Sequence, residues 1–154
     1  TSKDQTYFAA TQKYKTVGAT DEVKEGPNYV QVTDNRGTEA GWSLKVKQEG
    51  QFKSTSGKEL TGAAITFKNG NVVTASDSGK PTGPATITLN SDGSQSDVMS
   101  AAKGNGAGTY LFDWGTDATT AAKSIELTVP GSTTKYAEKY ATKLTWTLTD
   151  APGN

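Results

Sequence analysis

The strictest constraint on this chain is the grain of its apolar residues. Val, Ile, Leu and Thr come in short clusters separated by Gly, Asn, Asp or Ser, and no stretch repeats apolar residues at helical spacing over several turns. Successive side chains of a strand point to opposite faces, so a short cluster of period two can bury one face of a sheet but cannot supply the stripe of a helix. The clearest case is Trp42 to Lys47, where Trp42, Leu44 and Val46 alternate with Ser43, Lys45 and Lys47. Ala63, Ile65 and Phe67 repeat the pattern, as do Ala85, Ile87 and Leu89, and Ile125, Leu127 and Val129. The expected fold is all-β. It should be a two-sheet β-sandwich of about eight or nine strands, with Greek-key or jelly-roll-like connections and at most one short helical turn.

Turn chemistry sets the expected boundaries. Tyr29, Val30 and Val32 open a strand that Asp34-Asn35-Arg36-Gly37 closes, because Asn and Gly tolerate the positive φ of tight turns. Asn69-Gly70, between Phe67 and Val72, reads as a two-residue hairpin. Pro81-Thr82-Gly83-Pro84, Ser91-Asp92-Gly93 and Pro130-Gly131 are further breaks, Val98 and Met99 start another strand, and the last runs from Leu144 through Trp146 to Leu148. Two segments admit alternatives. Lys103 to Gly108 is either a bulge or a loose glycine-rich loop. Lys135 to Thr142 forms either one helical turn that brings Tyr136 to Tyr140, or a corner fastened by the Tyr140 hydroxyl bonding to backbone. From Thr1 to Asn28 the spacing of Tyr7, Phe8, Tyr14, Val17 and Val23 is too uneven to assign strands. A length of 154 residues suits one domain, with 1–28 an irregular N-terminal segment and 29–154 the sandwich core.

Sixteen basic residues balance sixteen acidic ones, and no basic block interleaved with aromatics provides the footprint of a nucleic-acid site. Histidine and cysteine are absent, which removes His-based triads, thiol nucleophiles and the usual zinc ligand sets. No apolar run is long enough to span a bilayer as a helix. Thr1 onward lacks the basic-then-apolar pattern of a signal peptide, so an exported protein would already have lost its leader. Asp77, Asp92 and Asp97 suggest calcium, yet Asp92 to Asp97 does not fit the twelve-residue calcium loop, and carboxylates capping their own turns explain them better. No metal and no cofactor is assigned. A glycosidase would need two carboxylates about 5 to 10 Å apart. Asp34, Glu39, Asp113 and Glu126 are available, and nothing in the sequence brings two of them together.

Two triplets, Trp42-Ser43-Leu44 and Trp146-Thr147-Leu148, lie about a hundred positions apart in the contexts GWSLKVKQEGQF and LTWTLTDAPGN. With KELTGAAITFKNG, GNGAGTYLFDWG and IELTVPG between them in order, the chain resembles the WxL domain over most of Tyr29 to Asn154, and less clearly from Thr1 to Asn28. The resemblance implies a C-terminal domain of surface proteins in low-GC Gram-positive bacteria, held non-covalently to the cell wall, with peptidoglycan as ligand. It also implies as partners a WxL-interacting protein, sortase-anchored surface proteins and, for some members, host matrix. The expected location is therefore extracellular, at the cell wall, which suits a cysteine-free composition rich in Thr, Ser and Gly. The expected function is non-catalytic attachment to that wall. The alternatives are an adhesin that pairs through a sheet edge, and the sandwich glycosidase above.

Residues two apart on a strand share a face, so each triplet presents an indole beside an isobutyl group. If Trp42, Leu44, Trp146 and Leu148 all point inward they are the centre of the core, each indole burying about 200 Å². If one indole lies in an open groove it can stack on a sugar or take a partner's side chain. Trp114, between Gly106, Gly108 and Gly115, is either core or a further partly exposed aromatic contact.

Overall fold

The computed structural model describes residues 3–15, 23–76 and 79–152; Val17 and Asp77 lie outside the described residues. Among the described residues there are fourteen short strands and one helical turn: β1 (Gln5–Phe8), β2 (Gln12–Lys15), β3 (Val23–Gly26), β4 (Asn28–Asp34), β5 (Trp42–Gln48), β6 (Lys53–Ser54), β7 (Ala64–Phe67), β8 (Gly70–Val73), β9 (Ile87–Thr88), β10 (Gln95–Ala101), β11 (Gly108–Trp114), α1 (Ala118–Ala121), β12 (Ile125–Val129), β13 (Tyr140–Ala141) and β14 (Leu144–Thr149). All strand pairings are antiparallel. Three sheets, ordered β1-β12-β7-β9, β10-β5-β14 and β4-β11-β8, close on a common core. The all-β sandwich class therefore stands. The strand count exceeds the expected eight or nine because several strands are two to four residues long and carry no legible alternation.

The core is built by the alternation seen in the sequence. Along β5 every second residue is buried, ending with Gln48. Along β11 Tyr110, Phe112 and Trp114 point inward against Val32 of β4 and Trp42, Leu44 and Val46 of β5. In β10 the register shifts between Asp97 and Met99. This bulge lets Val98 and Met99 both be buried although they are adjacent in sequence.

Three expectations are corrected. The first 28 residues are not irregular where they are described: β1 pairs with β12 from Gln5↔Val129 to Phe8↔Glu126, and β2 pairs with β3. β1 is mostly exposed, so its pairing rests on backbone bonds that leave no apolar pattern to read. The Asn69-Gly70 hairpin does not exist. Asn69 does take a left-handed φ of 57°, but β7 pairs with β12 and β9 while β8 pairs with β11. The turn is a corner from one sheet to another. Gly70 is required there by crowding, since a Cβ would stand 2.5 Å from the Phe112 ring. The helical turn lies at α1 rather than between Lys135 and Thr142. Asp117 caps it, its carboxylate accepting from the Thr120 N–H at 2.7 Å while the Thr120 hydroxyl accepts from the Asp117 N–H. The other reading of that segment holds, since the Tyr140 hydroxyl bonds to backbone, accepting from the Tyr136 N–H at 2.8 Å.

Candidate functional site

Both triplets lie on neighbouring strands of one sheet. The register places Leu148 opposite Leu44 and Trp146 opposite Val46, so Trp42, Leu44, Trp146 and Leu148 share the core-facing side. Their environments differ because β5 is the central strand of its sheet and β14 is an edge. Trp42 is 2% exposed and Leu44 7%, whereas Trp146 is 38% exposed and Leu148 54%. The first triplet is core. The second is half core and half surface.

Trp42 is fixed from three sides. Its ring lies 6.3 Å from Tyr110, its indole N–H donates to the Gly106 carbonyl at 3.0 Å, and the Lys103–Gly108 segment folds over it. Gly106 has φ +82°, and a Cβ there would meet Ala101 Cβ at 2.4 Å and the Trp42 indole nitrogen at 2.6 Å. The glycines in this loop therefore let the backbone lie against an indole. The Tyr110 hydroxyl ties the same loop down by donating to the Ala107 carbonyl at 2.7 Å. Trp114 is 3% exposed and belongs to the core. It lies 4.9 Å from Phe67, 5.6 Å from Phe112 and 6.2 Å from Trp146, so one side of the Trp146 indole rests on the core.

The two sides of the sandwich are closed differently. On one, the segment around Thr82–Ala85 bridges the sheets: Thr82 pairs with Ser100 of β10, and the Gly70 N–H of β8 donates to the Ala85 carbonyl. On the other, β4 and β14 are edge strands that border an open cleft of about 560 Å³. Val32, Trp42 and Leu148 give the cleft apolar walls, while Asp34, Arg36 and Asp150 charge it. Asp34 is buried and paired with Arg36, whose Nε and Nη2 donate to its two carboxylate oxygens at 2.9 Å each. Those bonds hold the Asp34 carboxyl down at about 2. Arg36 Nη2 also donates to the Gly41 carbonyl at 2.9 Å, locking the turn that precedes Trp42. The sequence marks Asp34 to Gly37 as a turn and Asp34 as an available carboxylate, but not as one wall of a cleft. The ion pair two residues apart was visible there, but its place beside Leu148 depends on sheet stacking.

The carboxylates named for a glycosidase are scattered. Asp34 is opposite Gly108 and Asp113 is opposite Tyr29, five residues along β11, or about 17 Å at the rise of a strand. Glu126 is taken up by Lys68 at 2.9 Å, and Glu39 lies exposed in the loop before β5. Burial pushes Asp113 up, and its Oδ1 has no hydrogen-bond partner, but it faces away from the core side of β11. Asp92 caps its turn by accepting from the Ser94 N–H at 2.9 Å, and Asp97 lies 3.5 Å from Lys45. No group of three acidic residues among the described residues is placed to hold a metal ion.

The family profile described as WxL domain, surface cell wall-binding, matches residues 1–152. The chain belongs to the WxL family. That assignment makes it a surface cell-wall-binding domain and extends the resemblance back over the N-terminal strands. No curated protein and no solved structure matches the chain. In this WxL domain the two signature triplets form one antiparallel pair, one member buried and the other at an open edge. Among the described residues no helix is long and apolar enough to cross a membrane.

Proposed function

We propose that this WxL domain is a non-catalytic module that attaches its protein to the Gram-positive cell wall from outside the cell, and that the cleft between β4 and β14 makes the contact. One observation carries this reading: the second triplet keeps a leucine and half an indole in solvent at the rim of a cleft with apolar walls and fixed charges. An exposed apolar patch rimmed by polar groups marks an interaction site. Methyl groups of wall acetamido and lactyl substituents, or of stem-peptide alanines, suit walls made by Val32 and Leu148. Polar groups of the wall would meet the Asp34–Arg36 pair and Asp150.

The target is either peptidoglycan or a WxL-interacting protein already bound to the wall, and pelleting separates them. The domain is mixed with untreated walls and with walls stripped of protein. Retention by both assigns the target to the glycan-peptide; retention by untreated walls alone assigns it to a bound protein. Leu148→Ser and Asn35→Ala alter opposite lips of the cleft and should each weaken retention at least about tenfold, the loss of about 1.4 kcal/mol. Undiminished retention of both variants would reject the cleft as the contact surface.

A further inference from the structure

The outer edge of β14 lacks the devices that blunt several of the other sheet edges. Proteins blunt exposed edges with charges, proline, bulges or very short strands. The opposite edge of the same sheet, β10, carries a bulge and Asp97 and is bridged by Thr82. β9 is two residues long, and β4 carries the Asp34 carboxylate at its end. β14 reads Leu-Thr-Trp-Thr-Leu-Thr, without charge, proline or bulge, and pairs among the described residues only with β5.

The hydrogen-bond phase of that pairing identifies which backbone groups face outward. The Glu49 N–H donates to the Lys143 carbonyl at 2.8 Å, immediately before the ladder begins at Leu144↔Gln48. Bonded and non-bonded pairs alternate in an antiparallel ladder. Thr145, Thr147 and Thr149 therefore bond to β5, and Leu144, Trp146 and Leu148 turn their N–H and C=O groups to the free edge. These three also carry the half-buried and exposed apolar side chains of the strand.

Residues 144–148 form a palindrome, Leu-Thr-Trp-Thr-Leu, centred on Trp146. An interface related by a two-fold axis must be self-complementary, and an antiparallel strand pair keeps like faces together only in an even register. With Trp146 opposite its own copy, Leu144 stands opposite Leu148 on both sides, and every outward-facing backbone group meets a partner. We infer that β14 pairs antiparallel with β14 of a second copy of this chain, through about six backbone hydrogen bonds and a Leu–Trp–Leu strip on the core-facing side. The three-stranded sheets β10-β5-β14 become one six-stranded sheet across the axis.

The interface is small. A stable complex buries about 1,200–2,000 Å² in total, and one five-residue edge offers much less, so the free dimer should dissociate at a concentration on the order of 100 µM. Proteins crowded on a surface reach effective concentrations on the order of millimolar, where such pairing is populated. The second copy lies along the β14 lip of the cleft and shares Leu148 with it, but the inference rests on the strand edge and not on the identity of what the cleft binds.

Sedimentation of the isolated domain from about 10 µM to 1 mM tests it without cell walls, so its failure is separate from failure of the wall-binding proposal. The wild type should shift from monomer to dimer. Leu144→Pro removes an outward N–H at the first residue of the strand, where proline is tolerated, and Leu148→Lys places a charge on an already exposed position. Each should weaken the dimer at least tenfold while far-UV circular dichroism stays unchanged. Register is read separately, since the chain has no cysteine of its own. A mixture of Thr145→Cys and Thr147→Cys chains should cross-link faster than one of Thr145→Cys and Thr149→Cys, because 145 stands opposite 147 of the second copy. A wild type monomeric at 1 mM, undiminished dimer in both blocking variants, or equal cross-linking of the two mixtures would overturn the inference.

Discussion

Trp42 and Trp146 occupy the same place in the same motif, yet their removal should cost different amounts. A tryptophan side chain buries about 200 Å² when fully enclosed, and apolar area contributes about 25 cal/mol per Å². Trp42, 2% exposed, therefore accounts for about 5 kcal/mol, within the range of about 3–5 kcal/mol for emptying a buried aromatic site. Its truncation also strips the Gly106 carbonyl of its indole donor. Trp146, 38% exposed, accounts for about 3 kcal/mol on the same basis. For a chain of this size each kcal/mol moves the midpoint of thermal unfolding by about 2–4 °C, so Trp42→Ala should melt about 10–20 °C below wild type and Trp146→Ala about 6–12 °C below. Urea unfolding followed by intrinsic fluorescence, with Trp114 as reporter in both variants, gives the free energies directly. Equal losses, or a larger loss for Trp146→Ala, would refute the assignment of one triplet to a central strand and the other to an edge.

Gly106→Ala should destabilise by about 2–4 kcal/mol, since it combines a left-handed φ with overlap against Ala101 and Trp42; a melting midpoint within 2 °C of wild type would contradict the close packing of this loop on the indole. The Asp34 carboxyl, held at about 2 by Arg36, lies below its unfolded value. Its contribution is therefore present above about pH 4 and lost as pH falls towards 2. Thermal melts between pH 5 and 2 should show a decline that is shallower in Asp34→Asn, and the same slope in both proteins would show that the ion pair is not coupled to folding.

Several elements were legible because their burial is written locally. Alternation in Trp42 to Lys47, Ile125 to Val129 and Leu144 to Leu148 exposes the period of a strand, and the structure places β5, β12 and β14 there, although only β5 buries every second residue. β1 was missed because its side chains are mostly exposed and its partner, β12, lies more than a hundred residues away. The Asn69-Gly70 signal was read correctly as a change of direction and wrongly as a pairing. Turn residues report backbone conformation, not which strand lies alongside.

The sequence by itself determined the all-β class, the extended conformation of both W-x-L segments and the family, because periodicity and turn chemistry are local and the motifs recur in order. Only the tertiary structure decided that Trp42 is enclosed and Trp146 half open. Two W-x-L triplets have like local preferences, and their burial follows from sheet position: β5 has a strand on either side and a glycine loop drawn over its indole, whereas β14 has, among the described residues, a neighbour on one side only.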